Sequence, residues 1–131
     1  MSHYKYINAI ALVGLTPTSI VATNDTVEIE TKEGRSFRMW HEQDCCESVF
    51  IASTQGDLQS LVGVPILEVK EDIANKRPDD EPKYEYADDS ETWTTFYLTN
   101  SKGTVRLRWC GTSNGYYSES VNFGETTERT P

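Results

Sequence analysis

The side chains best suited to hold a ligand are Trp93, Tyr97, Arg106 and Arg108. They lie on two segments, Trp93–Thr99 and Thr104–Trp109, both rich in aromatic and β-branched residues. Asn100-Ser101-Lys102-Gly103 between them reads as a turn, so the segments are expected to pair as an antiparallel hairpin. Setting Thr99 opposite Thr104 places Leu98 against Val105, Tyr97 against Arg106, Phe96 against Leu107 and Thr95 against Arg108. One face then carries Phe96, Leu98, Val105, Leu107 and Trp109, which is a core face. The other carries Trp93, Tyr97, Arg106 and Arg108. Guanidiniums beside aromatic rings can stack on a planar base and pair with phosphate. Asn114, Tyr116 and Tyr117, just downstream, would line the rim of such a site. The plainer alternative is that arginines and aromatic rings pair with one another across an exposed sheet face.

A second run, His41-Glu42-Gln43-Asp44-Cys45-Cys46-Glu47, is the densest in titratable groups. As a zinc site it is poor, because adjacent cysteines lack the spacing that lets two thiolates converge. His41 with Cys45 or Cys46 would make a Cys–His nucleophilic pair. The reading preferred here is a structural corner in which side chains bond nearby backbone groups. No phosphate-cradling glycine loop, nucleophile elbow or paired zinc motif occurs, so a binder without cofactor or metal is expected rather than an enzyme.

These residues must be positioned by strands. Thr26–Thr31 alternates with period two, placing Val27 and Ile29 on one face. Lys32-Glu33-Gly34-Arg35 reads as a turn with Gly34 at positive φ, and Ser36–His41 returns with Phe37 and Met39 on one face. Val49–Ala52 reads as a buried strand, and Ile10–Leu15 with Ser19–Thr23 as a short pair. Asp57 can cap one short helix through Val62, stopped by Gly63 and Pro65. Pro65–Val69 is expected to continue as a strand. Asn114-Gly115 is a hairpin dipeptide, which would make the last strands a three-stranded meander ending at Phe123. That turn sets Val121 opposite Arg108, so either a bulge near Gly111 changes the parity or both sheet faces are partly covered. The expected fold is β-rich α+β: an antiparallel sheet of hairpins and meander with one short helix.

Twelve basic and 21 acidic residues in a chain of 131 give a formal charge of −9. One domain spanning 1–131 is expected at this length. The acidic balance excludes a general binder of long nucleic acid, and equally an anionic membrane surface as partner. The opening residues lack the charged and apolar regions of a secretory signal, and no apolar run is long enough to span a bilayer. Three cysteines, Cys45, Cys46 and Cys110, read as reduced thiols of a cytosolic protein, with a vicinal redox pair at Cys45 and Cys46 as the lesser alternative. Residues 76–91 hold seven acids against three bases with Pro78 and Pro82, and read as a flexible acidic loop. As a function, that loop would be a docking surface for a basic partner protein. The tail 124–131 is polar and is expected to fray.

His41–Glu47, Thr92–Tyr97 and Trp109–Glu119, with its Ser113-Asn114-Gly115-Tyr116-Tyr117-Ser118 run, resemble a family of small uncharacterised phage and prophage proteins. The likeness covers roughly Ile10 to Phe123 and carries over no catalytic residue. It implies a phage accessory protein acting in the cytoplasm of the infected bacterium. By analogy of context, such proteins antagonise host defence, some by sequestering a nucleotide immune signal and others by blocking a defence protein. The leading expectation is therefore a non-enzymatic binder of a small anionic nucleotide, either monomeric or a homo-oligomer, at Trp93, Tyr97, Arg106, Arg108, Asn114, Tyr116 and Tyr117. The alternatives are an acidic inhibitor that binds a host defence protein and, last, a Cys–His enzyme.

Overall fold

The computed structural model describes residues 4–82 and 90–126, and every structural statement refers to these. They form nine strands: β1 (Tyr4–Tyr6), β2 (Pro17–Ala22), β3 (Val27–Thr31), β4 (Ser36–Trp40), β5 (Ser48–Gln55), β6 (Glu68–Ala74), β7 (Ser90–Asn100), β8 (Gly103–Ser113) and β9 (Asn122–Thr126). Two antiparallel sheets result, one in the order β1-β9-β4-β3-β2 and the other β5-β8-β7-β6. Their inner faces share one core. Ile20, Val27, Ile29, Phe37, Met39 and Phe123 come from the first sheet, and Val49, Phe96, Leu98, Val105, Leu107 and Trp109 from the second. No helix among the described residues is long and apolar enough to cross a membrane.

The β-rich class and the local hairpins agree with the alternation. β3 and β4 pair with Ile29 opposite Phe37, and Gly34 turns the chain at φ +81°. β7 and β8 adopt the expected register, Leu98 with Val105 through Thr95 with Arg108. All five residues assigned to the inner face of that hairpin belong to the core.

Three expectations need correction. The short helix is a single 3-10 turn, Leu58–Leu61, although Asp57 caps it by accepting from the Gln59 amide at 2.9 Å. Five residues between Asp57 and Gly63 are too few for an α-helix to repay its nucleation. The segment Ile10–Leu15 likewise contains a 3-10 turn, Ala9–Leu12, in place of a strand. The meander does not form: β8 has β5 as its second neighbour, and β9 lies between β1 and β4 in the other sheet.

The crossing explains the parity conflict. After Ser113 the chain folds back so that Glu119 lies against Gly111, where an added Cβ would stand 2.6 Å from the Glu119 carbonyl oxygen. Thr92 donates to Glu119 at 2.8 Å, and Ser113 donates to the same carboxylate. The Asn114-Gly115 turn is thus closed by the buried Glu119 carboxylate, and Val121 never meets Arg108. Gly124 to Thr126, read as the start of a frayed tail, are paired in β9, and 127–131 lie outside the described residues.

Candidate functional site

The expected binding face is the outer face of the second sheet. On β7, Trp93, Thr95 and Tyr97 alternate outward, and across β8 they meet Cys110, Arg108 and Arg106 respectively. A groove of about 320 Å³ runs over this face. Trp93, Tyr97 and Arg108 line it, with Asp72 from β6 and Lys76 and Arg77 from the segment that follows. Three residues singled out from sequence are therefore brought together. Trp93 is buried at 1% exposure as part of the floor, and its indole donates to Glu91 at 3.0 Å, so Tyr97 is the more open ring.

The arginines are already engaged. Arg108 is 7% exposed and holds Glu81 at 2.7 Å and Asp80 at 3.0 Å, while Arg106 reaches Asp80 at 3.4 Å. Glu81 also accepts from Ser53 at 2.8 Å, and its own carbonyl accepts from Arg77. Burial works against the charged Arg108, but bonds from Glu81 and Asp80 outweigh it and hold its pKa above the usual arginine value. The Arg108 bond likewise holds the Asp80 carboxyl below its ordinary range. Arg106 Nε and Arg108 Nε are buried with no hydrogen-bond partner among the described residues. Next along the same face of β8, Cys110 is buried, and burial, with Glu91, Glu119 and Glu81 around it, pushes its thiol up to about 12.

The acidic segment is therefore not simply a solvated loop. Asp80 and Glu81 turn toward the sheet, and Glu91 lies within β7. Asp79 stays exposed, while residues 83–89 lie outside the described part. The sequence reading missed Lys76 and Arg77 as groove residues; the Lys-Arg-Pro triplet between β6 and the acids was the available signal. Asn114, Tyr116 and Tyr117 do not line the groove. They lie in the turn after β8, where Asn114 caps the Tyr116 amide at 3.0 Å and Tyr116 is 88% exposed.

The run from His41 to Glu47 forms a corner wound around a buried carboxylate. Glu47 has no exposed side-chain surface and accepts from His41 Nε2 at 2.7 Å and from the amides of Asp44 at 2.9 Å and Cys45 at 2.8 Å. Gln43 donates to the Glu47 carbonyl at 2.8 Å, and His41 Nδ1 contacts the Ser120 carbonyl at 2.7 Å. The corner thereby ties the chain after β4 to the segment entering β9. Cys45 and Cys46 are joined to each other by a disulfide, which corrects the reduced-thiol reading. It also changes the Cys–His pair: neither sulfur is a free thiol, and His41 faces Glu47 and Ser120.

The bond from His41, opposed by burial and aided by the Cys45 and Asp44 amides, lowers Glu47 from 4.5 to about 2. A carboxyl depressed in the fold adds stability above its unfolded pKa and loses it as pH falls. Glu47 should therefore stabilise the protein fully above about 4.5 and progressively less down to about 2. Glu47→Gln is expected to lower the melting temperature at neutral pH by roughly 10 °C and to flatten its acid dependence in that window. Melting curves taken by circular dichroism at several pH values check both.

No curated protein and no solved structure matches the chain. A family model does, over residues 5–123. The chain belongs to the DUF7448 family, described as a domain of unknown function.

Proposed function

We propose that this protein is a non-enzymatic binder that holds a small anionic ligand of nucleotide type in the groove over its second sheet. The carrying observation is the gathering of an open aromatic ring, Tyr97, with Lys76, Arg77 and Arg108 around one cleft. Its volume, about 320 Å³, suits a small molecule. A base would stack on Tyr97, and its phosphates would meet Lys76 and Arg77 at the mouth. Asp80 occupies the position between Arg106 and Arg108 that a further phosphate oxygen would take. The unpaired Nε atoms of both arginines add donors beside that position.

Following the resemblance to small phage proteins, the reading extends to a setting. The protein would act in the cytoplasm of an infected bacterium and antagonise host defence by sequestering a nucleotide signal. The burial of Glu81 removes one acid from the contact surface that the acidic-inhibitor reading needs.

Thermal-shift and calorimetric titration with cyclic dinucleotides and ADP-ribose derivatives test the proposal. At least one ligand should raise the melting temperature and bind at micromolar affinity or tighter, and Tyr97→Ala should weaken it about tenfold through lost stacking. Absence of heat and of thermal shift across the panel would refute it.

A further inference from the structure

We propose that β6 is the seam of a homodimer, a second copy pairing with its free edge about a two-fold axis at Glu71. The strand closes one side of its sheet, and among the described residues it pairs only with β7. Six of its seven residues are exposed, and Ile73 is 61% exposed. A seven-residue open edge carrying an exposed isoleucine is a template for another strand.

The sequence of β6 says which strand fits. A two-fold axis perpendicular to the sheet, passing through Glu71, sets Lys70 of each copy opposite Asp72 of the other. It also sets Val69 opposite Ile73. Both pairs occur twice, giving two ion pairs on one face and two apolar pairs on the other. Moving the axis to Lys70 would oppose Glu68 to Asp72. Moving it to Asp72 would oppose that residue to itself and face Ile73 with Glu71. Of these three registers, the Glu71 one alone pairs opposite charges with each other and Val69 with Ile73, Glu68 then facing Ala74 at the ends. Its one repulsive contact is Glu71 with itself, a carboxyl that burial already raises above its ordinary value.

The seam adjoins the groove. Lys70, Asp72 and Ala74 stand opposite Tyr97, Thr95 and Trp93 on the same sheet face, and Asp72 and Ala74 line the groove wall. Lys70 already lies 5.9 Å from the centre of the Tyr97 ring. Pairing brings the other copy's Lys70 beside Asp72, adding a cation at the wall of each groove.

Analytical ultracentrifugation, with circular dichroism to confirm folding, tests this. The wild-type chain should sediment as a dimer. Lys70→Asp alone and Asp72→Lys alone should each weaken association about tenfold or more, since each replaces two ion pairs by two repulsions. An equimolar mixture of the two variants should regain the dimer, because each then supplies the charge the other lacks. Ile73→Lys, at an exposed position, should also dissociate the dimer, and Glu71→Gln should tighten it. A wild-type monomer at all concentrations overturns the proposal. So does a dimer indifferent to both single charge changes, or a mixture of folded variants that stays monomeric.

Discussion

Arg108→Ala is expected to cost the fold about 3–5 kcal/mol, because it strands a buried carboxylate. Glu81 is 5% exposed at its side chain, and Arg108 Nη1 at 2.7 Å is its cationic partner. Ser53 supplies a further bond but no charge. The double variant Arg108→Met, Glu81→Leu should recover much of the loss, since a buried ion pair exchanged for apolar groups of similar size is often nearly neutral. Urea unfolding of wild type, single and double variants measures this. An Arg108→Ala protein within about 1 kcal/mol of wild type would show that the pair behaves like a solvent-exposed one. The result also bears on function. Loss of ligand binding in Arg108→Ala is interpretable only beside its stability, so Tyr97 is the better probe of the groove.

Asp80→Ala should have the opposite character, leaving stability almost unchanged while strengthening anion binding roughly fivefold. Its side chain is 58% exposed, yet it bridges Arg106 at 3.4 Å and Arg108 at 3.0 Å. Loss of this exposed carboxylate costs the fold little while Glu81 still holds Arg108, but the carboxylate competes with any phosphate for the same two guanidiniums. Removing it frees Arg106 and leaves Arg108 with Glu81 as its one carboxylate partner. Calorimetric titration of Asp80→Ala against wild type checks the prediction. Equal or weaker binding in the variant would mean that the ligand does not reach the arginines.

What was legible in the sequence was local. The even-length turn at Asn100–Gly103 and the alternation of Phe96, Leu98, Val105 and Leu107 set both register and core face, because a one-residue slip would expose them all. The partners of the hairpin were not legible. β8 pairs with β5, and β9 pairs with β4 across most of the chain, and period-two alternation is identical whichever strand lies alongside. Asn114-Gly115 carries a strong turn signal, and the turn exists, but Glu119 folds back onto Gly111 and sends the chain to the other sheet.

The candidate site divides in the same way. Trp93, Tyr97 and Arg108 share a face by strand parity alone, so their meeting could be read directly. Charge counting could not show that Asp80 and Glu81 turn onto Arg108, 28 and 27 positions away, nor that Lys76 and Arg77 face the same cleft. The corner around Glu47 was readable as local side-chain bonding. That its carboxylate should bury completely and draw in His41, Asp44 and Cys45 was not, since nothing in composition ranks one acid of such a run above another.

Native mass spectrometry of protein purified from cells that express it, before and after incubation with cyclic dinucleotides and ADP-ribose derivatives, decides whether the groove is filled. The chain should carry one small anionic ligand per groove, retained from the cell or gained from the panel, and lost in Tyr97→Ala. A protein that flies as the bare polypeptide before and after incubation would contradict it.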